Sequence, residues 1–139
     1  EVALIWLGNL IGTFVSARLL LLTRVAGIAS KAAAMCEVKM NDSLVSLFVL
    51  AIFCGMLMFI AADGYKKINH ETGKCLAIFL PVMAFILSGF EHCIANMFYF
   101  SLADAWTVKS FGYLLVMTLG NAAGGMLIPL CRKAMVENQ

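Results

Sequence analysis

Charged residues are confined to short stretches of this chain, and between them lie four windows that are almost wholly apolar: residues 2–23, 43–62, 75–103 and 110–131. A run of about 18 or more apolar residues is long enough to cross a bilayer, so each window predicts a membrane helix. Arg18 is the only charge in the first window, the second and fourth have none, and the third contains Glu91 and His92. At a rise of about 1.5 Å per residue, the second and fourth each cover the roughly 30 Å hydrocarbon core. The connections, residues 24–42, 63–74 and 104–109, are short and read as loops. The pattern predicts one transmembrane domain over residues 1–139, with no linker or low-complexity stretch.

Composition strengthens this picture. Hydrophobic residues make up 63% of the chain and charged ones 13%, whereas soluble domains run near half apolar and a quarter charged. The connection at 63–74 holds Lys66, Lys67 and Lys74, and Arg132 and Lys133 follow the last window. The excess of basic residues in cytoplasmic segments therefore places both inside the cell, with Arg24, Lys31 and Lys39 of the first connection as dissenters. The first window is too long for a signal peptide and has no basic leader, so a cleaved leader is not expected. Glu1 opens in the middle of an apolar pattern with no Met, which reads as a piece of a longer protein.

Other classes find little support. Five cysteines include no C-x-x-C pair and several lie inside windows, so neither a metal site nor a disulfide framework is expected. A net charge of +2, scattered along the chain, does not suggest nucleic acid as a partner. No second histidine or carboxylate cluster accompanies His92 in the spans, so an enzyme is not expected, and no cofactor is implied.

An internal repeat is visible. LGNLIG at residues 7–12 returns as LGNAAG at 119–124, in windows separated by an odd number of membrane passages. The two copies therefore run in opposite directions, as in an inverted-topology repeat. Small residues four apart let helices approach closely. Asn9 and Asn121 each need a polar partner within the membrane and serve at least as interhelical glue.

The third window carries the candidate chemistry. After CLAIFLPVMAFIL come Ser88, Gly89, Phe90, Glu91, His92, Cys93, Ile94, Ala95 and Asn96. Gly89, just before two ionisable residues, predicts a helix break that exposes backbone groups to a cavity. A charged side chain at mid-membrane costs about 2.5–3.5 kcal/mol on insertion scales, so Glu91 and His92 suggest function; an inert buried pair is the alternative. On a helix restarting at Gly89, His92 and Asn96 share a face, Glu91 points about 100° away, and Phe85 lies two turns before His92.

The segment SGFEHCIANMFYF, residues 88–100, resembles the formate/nitrite transporter family, whose fifth membrane segment carries a similar GFEHSIANM motif. The resemblance continues through AIFCGMLMFIAADG in the second window and LGNAAGGMLIPL in the fourth, and so covers essentially the whole chain. It implies an all-α integral membrane protein with an aquaporin-like inverted three-helix repeat and a broken helix, here lacking the first two helices of a six-helix protomer. It also implies a homopentamer in the cell membrane, a bacterial inner or plasma membrane, that passes small monovalent anions of weak acids, such as formate, nitrite or hydrosulfide. Residue by residue, the pore histidine falls on His92, its neighbours on Glu91 and Asn96, the hydrophobic constriction on Phe85, and the vestibule lysine on Lys39.

Two departures stand out. Cys93 replaces the family's serine, and the broken second helix with its threonine-bearing loop is absent from these residues. His92 can donate a proton so that the neutral acid crosses, or stay cationic and bind the anion. Both routes stay open. So does a truncated membrane subunit that oligomerises without transporting.

Overall fold

The computed structural model describes residues 1–137, and these form six helices with no strand among them. They are α1 (Val2–Leu21), α2 (Ile28–Met40), α3 (Leu44–Lys67), α4 (Glu71–Leu87), α5 (Cys93–Leu102) and α6 (Val108–Glu137). Three of them, α1, α3 and α6, are long and apolar enough to cross a membrane. The third sequence window divides instead between α4, of 17 residues, and α5, of 10. Leu4, Leu19, Val45, Leu87, Leu119 and Leu130 all lie exposed. Such a surface is stable only in lipid, where helices satisfy every backbone group internally. The chain is a multi-pass membrane protein.

The helices pack as two compact units: Glu1–Leu44 with Cys93–Val116, and Val45–His92 with the chain from Met117 onward. The first unit closes around Ala17 of α1, Ala32 of α2 and Leu102 of α5, with Phe98 and Tyr99 packed alongside. Here the structure departs from the sequence expectation, because residues 24–42 hold α2 in place of a loop. Ala29, Ala32, Ala33 and Ala34 are strong helix formers, and Ala32 and Cys36, one turn apart, give α2 a buried edge. Arg18 forms an ion pair with Asp104, which caps the end of α5 at φ 53°. The start of α6 is a reciprocal capping box: the Ser110 N–H donates to Thr107 Oγ1 at 3.0 Å, and the Thr107 N–H to Ser110 Oγ at 2.7 Å.

The second unit is built on close contact between α3 and α6. A Cβ added at Gly120 would lie 2.6 Å from Ala51 Cβ and 2.7 Å from the Phe48 carbonyl oxygen. At Gly124 it would fall on the Ile52 carbonyl, and at Gly55 on that of Asn121. Only glycine permits this approach. At the polar end of the unit, Arg132 reaches Asp63 at 2.6 Å, and Lys67 pairs with the same carboxylate at 3.0 Å. The His70 ring accepts the Gly73 N–H at 3.0 Å and so caps α4.

Candidate functional site

The site grows from the way α4 ends. Gly89 adopts φ 68°, a left-handed conformation that costs glycine nothing. Around it the Phe90 N–H donates to the Phe85 carbonyl at 3.0 Å and the Gly89 N–H to that of Ile86 at 3.3 Å. This pair of bonds is a Schellman motif, which ends α4 in the apolar stretch without stranding its last carbonyls. The chain then runs non-helically through Phe90, Glu91 and His92 until α5 begins at Cys93.

Two aromatic contacts and one amide hold this segment within the second unit. The His92 ring stacks on Phe85, with centroids 5.5 Å apart and planes 23° from parallel. Phe90 stacks on Phe53 of α3 at 5.5 Å and 25°. Asn121 Nδ2 of α6 donates to the Glu91 carbonyl at 2.7 Å and to the Ala51 carbonyl at 2.8 Å. One side chain therefore ties α6, α3 and the break together. Glu91 is buried, and His92 is half-buried.

Two sequence expectations change. His92 and Asn96 do not share a helical face, because α5 starts at Cys93 and His92 precedes it. Phe85 does meet His92, but through the reversal at Gly89 and not along a continuing helix. Asn96 lies in the first turns of α5 and is buried, within the first unit. Lys39, also in the first unit, is a half-buried residue in the last turn of α2, where a cation suits the helix C-terminus. The sequence pointed to Asn121 through the repeat but not to its partners, and it gave no sign of the Phe53–Phe90 pair. Among the described residues, no group of His, Cys, Asp or Glu could hold a metal ion.

Chemically, the segment offers an imidazole stacked on an aromatic wall, beside a backbone carbonyl held by Asn121.

A family model described as formate/nitrite transporter matches residues 1–134. The nitrite transporter NirC of Salmonella typhimurium is 36% identical over 137 residues, covering 88% of this chain and 49% of NirC. The chain thus spans about half that relative's length. A solved FNT family ion channel is 33% identical with a TM-score of 0.72, covering 88% of this chain and 53% of that one. A pentameric formate channel with formate bound, 23% identical, superposes at a TM-score of 0.82 over 99% of this chain and 65% of its own, which speaks to the fold. The helical inverted repeat with its broken helix is the fold of these transporters, and the chain belongs to the formate/nitrite transporter family.

Proposed function

We propose that this chain forms the conducting part of a membrane channel or transporter for small monovalent anions of weak acids: formate, nitrite or hydrosulfide. His92 is the residue that meets the anion. The observation that carries the reading is the placement of its imidazole: stacked on Phe85, beside a helix break whose Glu91 carbonyl is held by Asn121. An unpaired anion in an apolar constriction costs many kcal/mol. A histidine there lowers that cost, either by handing over a proton or by accepting the charge as imidazolium. Glu91 and Asn96 shape the polar segment, Phe85 narrows the path, and Lys39 attracts anions from solution. The assembly is a homopentamer, as in the pentameric formate channel of the same fold.

Uptake of labelled formate and nitrite into proteoliposomes tests this, with the protein as expressed from its own gene. Saturable uptake that is driven by an inward proton gradient and excludes sulfate is the expected result. Absence of saturable flux for formate, nitrite and hydrosulfide alike, relative to protein-free vesicles, would favour the non-transporting subunit instead.

Lys39→Gln is expected to raise the half-saturation concentration about fivefold, the equivalent of roughly 1 kcal/mol of lost attraction, with little change in maximal rate. An unchanged half-saturation would return Lys39 to an ordinary charge at a helix end.

A further inference from the structure

A groove of about 450 Å³ lies within the first unit, between α1 and the stretch that joins α5 to α6. Its apolar walls are exposed, with Ile11 and Phe14 on α1 and Phe111 on α6. Trp6 packs edge-on against Phe111, centroids 6.4 Å apart, and holds that wall in place. Along α1 the lining ends at Arg18, which is paired with Asp104. Trp106 completes the lining; its indole N–H donates to Ser101 Oγ at 3.1 Å, and its ring meets Phe100 edge-on at 5.6 Å. Tryptophan favours the level of the lipid headgroups, with its ring in the apolar layer and its polar edge toward water.

The charges decide what fills such a groove. Arg18 gives an Nη2 N–H to Asp104 Oδ1, and its guanidinium lies over the Phe14 ring, 5.0 Å from the centroid. A guanidinium has five N–H donors and a carboxylate about four acceptor sites, so both partners keep capacity for a second charge. The Asp104 side chain is 73% exposed. An apolar helix laid over the pair would strip water from that charge and return nothing, which is unfavourable. A headgroup carrying both signs restores what the water supplied.

We propose that this groove is a phospholipid site, with one acyl chain along Ile11, Phe14 and Phe111 and a zwitterionic headgroup on the Arg18–Asp104 pair. The phosphate faces Arg18 and the ammonium faces Asp104. A primary ammonium, as in phosphatidylethanolamine, donates N–H bonds to the carboxylate. The trimethylammonium of phosphatidylcholine has no N–H to give, and a glycerol headgroup brings no cation at all.

The test uses the protein as expressed from its own gene, with Trp106 kept as its only tryptophan and reconstituted in bilayers containing brominated lipids, whose chains quench indole on contact. Brominated phosphatidylethanolamine is expected to reach half-quenching at a mole fraction about fivefold lower than brominated phosphatidylcholine, as much as ion pairs at a wet interface can supply. Asp104→Asn is expected to bring the two lipids within about twofold of each other, and Arg18→Gln to weaken both. The Asp104 variant alone suffices if Arg18→Gln does not fold. None of these readouts involves anion flux. Equal quenching by the two lipids in the native protein would mean bulk bilayer contact only, and no quenching by either would mean that protein covers the groove; each result overturns the proposal.

Discussion

His92→Ala is expected to cut formate uptake by the full-length protein by one to two orders of magnitude. A hydrogen bond to a charged group contributes about 1.5–3 kcal/mol, and its loss at the proposed anion site converts to a rate change of roughly 10- to 150-fold. The fold should survive. The ring's stacking on Phe85 has an expected contribution of about 0.5–1.5 kcal/mol. The break itself rests on Gly89 and Asn121, which the substitution leaves alone. Initial uptake rates, measured per folded molecule with and without a proton gradient, check this. His92→Gln separates the two mechanisms, because glutamine can donate a hydrogen bond but cannot titrate. Flux that persists in His92→Gln without response to the gradient identifies the imidazole as the coupling group. Native uptake and pH dependence in His92→Ala would remove His92 from the pathway altogether.

The membrane-helical character was legible because lipid leaves its mark on every residue of a span, and a charge-free run such as 43–62 has few other readings. Helix α2 was not legible in the same way. It carries Lys31, Glu37 and Lys39 among alanines, so it lacks the apolar density of a span and owes its place to a narrow edge packed within the first unit. The break near Gly89 was readable from a local fact, a glycine ahead of two ionisable residues. Where the helix resumes was not, because the conformation of Phe90, Glu91 and His92 depends on an amide thirty residues further along the chain. The repeat marked Asn9 and Asn121 equally, yet sequence could not say that one bridges two carbonyls while the other turns back on its own helix.

Gly124→Val is expected to destabilise the protein by about 3 kcal/mol or more. The new Cβ would fall on the Ile52 carbonyl of α3, a backbone atom that no rotamer change can move aside. Overpacking where side chains can yield costs about 1–3 kcal/mol. Here α3 and α6 must part instead. Parting them stretches the Asn121 bonds to Ala51 and Glu91, now 2.8 and 2.7 Å, and leaving such buried groups unpaired costs about 1–3 kcal/mol more. Gly112→Val, on the same helix but in open space, is the matched comparison, and the two should differ clearly in melting temperature and in the fraction recovered as folded oligomer. Equal behaviour would mean that the α3–α6 crossing is looser than the glycines imply. A milder change, Gly124→Ala, carries the functional consequence. Because Asn121 joins the crossing to the Glu91 carbonyl, a shift of the helices also moves the segment that ends in His92. Its flux should therefore fall even at temperatures where the protein remains folded.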